Sequence, residues 1–175
     1  MGLAIPTKLE QPLVRALDGL VAEGLYQSRS EAIRDAIREL VERNYVSRIR
    51  FLRVIAEISA ELILTEYGDA VTDVILYGSV AAGRVSEDSD IDILVLVSNR
   101  MRRNLSQMEI RTHDLTYAVA LASASVITPI VLDKGVFLDL VRAEQWFARE
   151  IVKYGIQLKG ATLNELRKQR LSEKG

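Results

Sequence analysis

The chain has 175 residues, of which 49% are apolar and 27% are charged, a composition typical of globular proteins and not of disordered ones. Its 23 Lys and Arg nearly balance its 24 Asp and Glu, and the net charge of -1 argues against a protein that is basic throughout. With no Cys and a single His, the sequence excludes a disulfide framework, a thiolate zinc site and a His-rich metal cluster. Neither a secretory signal nor the roughly 20 apolar residues that span a bilayer are visible, so we expect a soluble, cytoplasmic protein without a membrane partner.

The first elements in chain order are a strand and two helices. Alternation of apolar residues predicts an extended segment over residues 3–9, where Pro6 restricts it to an edge. Helical spacing of leucines predicts a helix from about Gln11 to Glu23, ended by Gly24. The run Ser28-Arg-Ser-Glu31 is a capping box that starts a second helix. A strand and two short helices are too small to bury a core alone, so this unit needs a partner.

The run IPTKLEQPLVRALDGLVAEGLYQSRSEAIRDAIREL, within residues 4–43, resembles a ribbon-helix-helix domain of the CopG/Arc type. The resemblance implies a homodimer whose paired strands form a ribbon in the DNA major groove, and a phosphate held at the start of the second helix by Ser28, Arg29 and Ser30. On the outward face of the strand, Lys8 is the one side chain that can donate to a base edge. Dimerisation alone and sequence-specific DNA binding both stay open for this unit.

Residues 43–68 continue as one helix or as a pair of helices, with Asn44 as the most plausible break and Tyr67-Gly68-Asp69 as the end. We expect this segment to connect the N-terminal unit to a second domain. The next residues change character: residues 51–100 carry 3 basic and 9 acidic side chains, and four of those acids lie between Glu87 and Asp92. An acidic cluster of this kind is either a solvated loop or a cation site.

The chemistry is predicted between two buried strands, residues 74–77 and 93–97. Gly78 and Ser79 follow the first strand, and Asp90 and Asp92 lead into the second, after ten intervening residues. Two carboxylates spaced by two along a strand point to the same face and repel each other, which favours a divalent cation between them. Ligation by oxygen alone is typical of Mg²⁺ or Mn²⁺, commonly shared with substrate phosphates. Gly78 permits close backbone approach, and Ser79 can donate to a phosphate oxygen.

The run LYGSVAAGRVSEDSDIDILVLV resembles the minimal nucleotidyltransferases of the DNA polymerase beta superfamily, over about residues 73–158. The resemblance implies that Asp90 and Asp92 are the catalytic and metal-binding residues for Mg²⁺ or Mn²⁺. It also implies that Gly78, Ser79 and Ser89 bind ATP or another nucleoside triphosphate. Arg84 takes the place of an Arg that the family carries before the second glycine, where this chain has Ala82, and serves as the phosphate cation or points to solvent.

Active members of this family usually place a third carboxylate on a later strand. The matching strand is predicted over residues 125–132, where Thr128 occupies the expected position. Asp133 at the far end of the strand and Asp114, expected to be partly buried on a helix, are the other candidates. Without a third acid, the site would still bind Mg²⁺-nucleotide while catalysing slowly or not at all.

The remaining elements carry less information. Ser106-x-x-Glu109 predicts the capped start of a helix that runs to about Ala124, with His113 as a surface or packing residue. A further helix is predicted over residues 137–152, followed by a short strand over 155–158 and a polar helix over 161–172 in a basic C-terminal tail. The expected core residues of the 137–152 helix are Trp146, Phe147 and Ile151.

The fold class is therefore α/β, or α+β: a small mixed-sheet nucleotidyltransferase domain preceded by a ribbon-helix-helix dimerisation unit. The expected divisions are 1–45 for the ribbon-helix-helix unit, 46–70 for the connecting helix, 71–160 for the nucleotidyltransferase domain and 161–175 for the tail.

The predicted function is Mg²⁺-dependent transfer of a nucleoside monophosphate, AMP from ATP, to a hydroxyl acceptor. Because the chain is nearly used up, the acceptor is expected to be a protein, and the resemblance implies a HEPN-type toxin. The alternatives are a DNA-binding regulator whose nucleotidyltransferase domain only binds nucleotide or is inactive, and a structural dimer module bound to a toxin.

Overall fold

The computed structural model describes residues 8–86 and 88–172. The chain divides into two compact units, one up to Val46 and one from Ser47 onward. The helices are α1 Gln11–Ala22, α2 Arg29–Tyr67, α3 Gly78–Ala81, α4 Leu105–Ser123, α5 Lys134–Arg142, α6 Trp146–Tyr154 and α7 Thr162–Ser172. The strands are β1 Val71–Tyr77, β2 Ile91–Val97, β3 Ile127–Asp133 and β4 Ile156–Lys159. No helix within these described ranges is long and apolar enough to cross a membrane.

The first unit consists of α1 and the start of α2. The predicted first helix is confirmed, and Gly24, at φ +74°, follows it in the left-handed conformation that glycine adopts without strain. The Ser28 hydroxyl accepts a hydrogen bond from the Glu31 backbone N–H at 3.2 Å, as the capping box predicts. The reciprocal contact differs, because Glu31 accepts from the backbone N–H of Gln27 at 2.7 Å. Most of the strand predicted over residues 3–9 lies outside the described residues.

Helix α2 runs without interruption from Arg29 to Tyr67, so of the two alternatives for residues 43–68 the single helix is confirmed and the break at Asn44 is wrong. Asn44 is exposed, and an exposed polar side chain with a mediocre helix propensity costs only a few tenths of a kcal/mol in a helix interior, about 0.7 at most. From Ser47 onward the helix belongs to the second unit, where Leu52, Ala56 and Ile63 are buried. The segment predicted to connect the two units therefore also packs in the core of the second unit.

The second unit is built on a four-stranded mixed sheet in the order β3-β2-β1-β4. Strand β2 pairs antiparallel with β1 and parallel with β3, while β4 pairs antiparallel with β1 on the other edge. The register places Tyr77 opposite Asp92, and Asp92 opposite Thr128. The last residue of β1 and the first residues of β2 and β3 therefore lie at the same end of the sheet.

Both faces of the sheet are covered by helices. On one face, α2 and α4 pack on the odd-numbered residues of β2, among them Ile91 and Ile93. On the other face, α5, α6 and α7 pack on the even-numbered residues Leu94 and Leu96. Strands buried on both faces are expected to be nearly continuous apolar runs, and β2, buried from Ile93 to Val97, is one. Asp92 points to the face of the sheet that α6 covers, because it is two residues from Leu94 along the strand.

A buried carboxylate ties the C-terminal helix to the sheet. Asp73 of β1 is fully buried and accepts hydrogen bonds from the Ala161 N–H at 3.1 Å, the Thr162 N–H at 3.0 Å and the Thr162 hydroxyl at 2.8 Å. Lys134 Nζ lies 3.2 Å from Asp73 Oδ2, the oxygen that also accepts from the Thr162 hydroxyl. Burial alone raises the pKa of the Asp73 carboxyl, but the Thr162 hydrogen bonds and the Lys134 charge outweigh burial and hold that pKa below its usual value.

We expect Asp73→Ala to lower the free energy of unfolding by about 3 kcal/mol at pH 7, because several buried donors lose their acceptor. Since folding lowers the pKa of Asp73, its contribution is present above the unfolded value of about 3.9 and is lost as the pH falls through the lower folded value. Urea denaturation should therefore show a smaller cost of the substitution at pH values below the lowered pKa of Asp73 than at pH 7. The exposed Asp69→Ala is the matched control, and an equal loss for both variants would contradict this role.

Three predictions about the helices are wrong. Helix α4 begins at Leu105, directly after a 3-10 segment over Asn99–Asn104, so Ser106 lies inside the helix and does not cap it. The helix predicted over residues 137–152 is two helices, α5 and α6, separated at Glu144, whose φ of +51° no helix tolerates. Trp146 is 76% exposed and not in the core, whereas Ile151 is buried as predicted.

Candidate functional site

The Gly-Ser pair and the Asp pair meet at one end of the sheet. Strand β1 ends at Tyr77, directly before Gly78 and Ser79, and Tyr77 pairs with Asp92 near the start of β2. Antiparallel pairing thus brings together segments that are ten residues apart in the sequence. This juxtaposition, predicted from the motif, is confirmed by the register.

Gly78 lies in direct contact with the Asp92 carboxylate. It begins the short helix α3 with a φ of +70°, and a Cβ atom built on it would lie 1.9 Å from Asp92 Oδ2. A side chain here would meet both the carboxylate and a strained backbone conformation. Glycine is therefore required because the backbone must approach Asp92. The sequence alone predicted a close backbone approach at Gly78, but not that Asp92 is the group approached.

The two aspartates have different environments. Asp90 is exposed just before β2, and Asp92 is half-buried within the strand. Burial, together with the nearby Asp90 charge, raises the pKa of Asp92 to about 6. Burial and the Asp92 charge likewise raise the pKa of the Tyr77 hydroxyl to about 12. Negative charge is thus concentrated at Asp90 and Asp92, which is the electrostatic condition under which a metal ion binds favourably.

The residues at this end of the sheet fit a magnesium or manganese ion that is shared with a substrate. The donor set is two carboxylates, both oxygen ligands, of which Asp92 lies against the backbone of Gly78. Among the described residues, no group of three or more acidic or imidazole side chains could hold a metal by itself. Mg²⁺ commonly keeps one or two carboxylates and takes its other ligands from water and substrate phosphates, so two aspartates are a sufficient protein contribution.

The strand that would carry a third carboxylate carries Thr128 instead. Thr128 pairs directly with Asp92, as predicted. Asp133 pairs with Val97, five residues and roughly 16 Å further along the sheet. It is buried and caps α5 by accepting from the Val136 N–H at 3.1 Å, so its role is structural. Asp114 is exposed on α4, whose packing is on the opposite face of the sheet, so the expectation of partial burial is wrong.

Arg84 and Ser89 lie in the loop between the two motif halves. Arg84 Nη2 is 3.7 Å from Glu150 Oε2 on α6, and its guanidinium lies 5.1 Å from the ring centre of Tyr154. The Ser89 hydroxyl accepts from the Ser86 backbone N–H at 2.7 Å, which closes a tight turn before Asp90. Arg84 therefore stands at the rim of the site in contact with α6, and Ser89 shapes the acidic loop.

The residues predicted to contact DNA lie at the surface of the first unit. Lys8, Ser28 and Ser30 are exposed, with Ser28 at the start of α2. Arg29 is half-exposed and forms a two-pronged ion pair with Asp18 of α1, in which Nη2 lies 2.7 Å from Oδ2. The Arg29 guanidinium is thus already paired with the Asp18 carboxylate, and this contact was not predicted from the sequence.

A mixed sheet with a Gly-Ser turn against Asp92 of β2, and with Asp90 directly before that strand, defines a nucleotidyltransferase-type domain. The family model described as polymerase beta, nucleotidyltransferase matches residues 60–161, more than half of the chain. The chain belongs to that family. The family model described as ribbon-helix-helix protein, copG family, matches residues 8–44, so the N-terminal resemblance is confirmed as well.

Similar solved structures include three at low identity. A toxin-antitoxin with AMP-PNP is 21% identical, over 67% of this chain and 91% of that chain, with a TM-score of 0.38. A putative nucleotidyltransferase from Sulfolobus solfataricus is 22% identical, over 63% and 81%, with a TM-score of 0.40. A complex of tri-AMPylated Shewanella oneidensis HEPN toxin with MNT antitoxin is 19% identical, over 68% and 89%, with a TM-score of 0.34. No curated protein matches the chain.

Proposed function

We propose that the chain transfers a nucleoside monophosphate, AMP from ATP, to a hydroxyl group of an acceptor. The observation that carries this proposal is the contact between the Gly78 backbone and the Asp92 carboxylate, which sets a phosphate-accepting turn against a cation-binding pair. The family to which the chain belongs supports the same reaction class.

In this proposal each residue has a defined task. Gly78 lets the backbone of the turn approach the triphosphate closely, Ser79 donates its hydroxyl to a phosphate oxygen, and Arg84 and Ser89 contact the triphosphate from the loop that joins the two halves of the motif. Asp90 and Asp92 hold Mg²⁺ or Mn²⁺, which when bound neutralises phosphate charge and polarises the α-phosphate. The acceptor oxygen bonds to the α-phosphorus, the bond from that phosphorus to the bridging oxygen breaks, and pyrophosphate leaves. With Thr128 beside Asp92, the hydroxyl proton passes to water and not to a third carboxylate.

The position of the label distinguishes this reaction from phosphoryl transfer. The chain is incubated with Mg²⁺, a candidate acceptor and ATP labelled on either the α- or the γ-phosphate. We expect acceptor labelling from α-labelled ATP and none from γ-labelled ATP. Labelling from γ-labelled ATP, or labelling that persists without Mg²⁺, would contradict nucleotidyl transfer.

The proposed acceptor is a partner protein, a HEPN-type toxin, which gives the chain an antitoxin role. The resemblance of residues 73–158 to the minimal nucleotidyltransferases supports this choice, because that resemblance implies such a partner. A toxin co-purified with the chain should regain activity when it is produced with an Asp90→Ala/Asp92→Ala variant. A toxin that stays inhibited by the variant would indicate inhibition by binding alone.

The N-terminal unit is proposed to form the homodimer. An apolar groove lies between α1 and the start of α2. Its lining residues are all apolar: Leu9, Leu13, Ala16, Leu17, Leu20, Ile33, Ala36, Ile37 and Leu40. Leu13 and Ile37 are 57% and 56% exposed, which is costly for a unit of this size unless a second copy covers them. The match to the copG family model supports the same arrangement.

We expect Ile37→Asp to convert the full chain to a monomer, because a charge in the apolar groove cannot be buried without a partner. Sedimentation velocity measures the change. Arg34→Asp, an exposed position outside the groove, should leave the dimer intact. A dimer that survives Ile37→Asp would place the association elsewhere on the chain.

A second candidate function is a DNA-binding regulator whose nucleotidyltransferase domain only binds nucleotide. Two observations favour it: the ribbon-helix-helix match and Thr128 at the position of a third carboxylate. A gel shift with salt-dependent affinity should then weaken in Lys8→Ala and Arg29→Ala. Nucleotide binding without any labelled acceptor would favour this function over the enzyme.

A further inference from the structure

Aromatic side chains gather where the proposed phosphate-binding turn meets α6. The Tyr77 ring, directly before Gly78, packs edge-on against Phe147 with ring centres 5.5 Å apart. Tyr154, at the other end of α6, lies beneath the Arg84 guanidinium. Trp146 is the first residue of the same helix. The whole chain has only ten aromatic residues, and four of them lie in this region.

Trp146 differs from the other three because it is 76% exposed. Its neighbour Phe147 turns toward Tyr77, and Glu150, one helical turn further on, contacts Arg84. Residues i and i+4 share a helix face, so Trp146 lies on the same face of α6 as Glu150, which contacts Arg84 of the loop after the turn. Exposing the apolar Trp146 indole to water is unfavourable, and a flat ligand that stacked on the ring would remove this apolar surface from water.

We propose that Trp146 forms the nucleobase subsite of this enzyme, with its indole stacking on the base of the nucleoside triphosphate. The proposal rests on the proposed nucleotide site, and it adds a residue and a chemical class that the motif itself does not assign. Stacking on an aromatic ring accepts any base, because every base presents a π face. The subsite therefore contributes affinity for a nucleotide over a bare polyphosphate, and little discrimination between bases.

Trp146 is the single tryptophan of the chain, so its fluorescence reports on this position alone. The test titrates the full chain with Mg²⁺-ATP and with Mg²⁺-tripolyphosphate, which lacks the base and the sugar. We expect ATP to quench the fluorescence saturably and tripolyphosphate to leave it nearly unchanged. Calorimetric titration should show that Trp146→Ala weakens ATP binding roughly 5- to 150-fold without weakening tripolyphosphate binding. Trp146→Phe should retain most of the affinity for ATP.

The matched control is Tyr117→Ala, which removes a ring that is 64% exposed on α4, on the opposite face of the sheet. Equal ATP affinity in Trp146→Ala and the unaltered chain would overturn the base subsite while the proposed function stood. Unchanged ATP affinity with reduced acceptor labelling would assign the ring to the acceptor and would also overturn it. If the unaltered chain bound neither ATP nor tripolyphosphate, the proposed function itself would fail.

Discussion

Replacing Asp92 with asparagine should lower the rate of nucleotidyl transfer about a thousandfold. The substitution keeps the shape of the side chain beside Gly78 but removes one of the two negative charges that we propose to hold the metal ion. Metal stabilisation of the transition state amounts to several kcal/mol, and each 1.36 kcal/mol is about tenfold in rate. Single-turnover labelling from α-labelled ATP, with the acceptor in excess, measures this loss directly.

The matched control is Asp88→Asn, which removes a carboxylate from the same acidic loop at an exposed position. We expect that variant to transfer at nearly the rate of the unaltered chain. Equal rates for all three proteins would mean that the Asp pair is only a solvated entry to β2. A loss in Asp88→Asn as large as that in Asp92→Asn would indicate a general charge effect of the loop.

Gly78→Ala is expected to abolish nucleotide binding as well as transfer. The new Cβ would lie 1.9 Å from Asp92 Oδ2, so either the turn or the carboxylate must move away from its position. The residue also sits at φ +70°, where an L side chain adds strain of order 1–2 kcal/mol. Titration with Mg²⁺-ATP measures binding, and urea denaturation measures the accompanying loss of stability.

Gly68→Ala separates the strain from the clash. Gly68 also has a positive φ, +53°, but a Cβ there would meet nothing within 4 Å. We expect Gly68→Ala to lose some stability and to keep its affinity for ATP. If Gly78→Ala bound ATP as tightly as Gly68→Ala does, the contact with Asp92 would not define the site.

The site was largely predictable because its signals are local in the sequence. Two buried apolar runs flank the Gly-Ser pair and the Asp pair, and strands of this length with a short connection pair as neighbours. The position of Thr128 was predictable for the same reason, since β3 is a third apolar run. The close contact between Gly78 and Asp92 was not predictable, because it depends on the exact register of β1 and β2.

The features that the sequence did not reveal depend on distant residues. Asp73 was given no role from the sequence, because its partners Ala161 and Thr162 come from the far end of the chain. Trp146 was expected in the core because its type is usually buried, and its exposure is visible only in the structure. Asparagine has a low helix propensity, which is why a break was predicted at Asn44. An exposed asparagine nevertheless interrupts a helix only when the surrounding packing favours an interruption.

The most direct test of the proposed site is to locate the metal ion. A crystal of the full chain grown with Mn²⁺ and a non-hydrolysable ATP analogue would show the ion by its anomalous scattering. The proposed site predicts a peak about 2.1 Å from carboxylate oxygens of both Asp90 and Asp92, with the triphosphate against Gly78 and Ser79. A nucleotide bound elsewhere, or an ion bound without either aspartate, would contradict it.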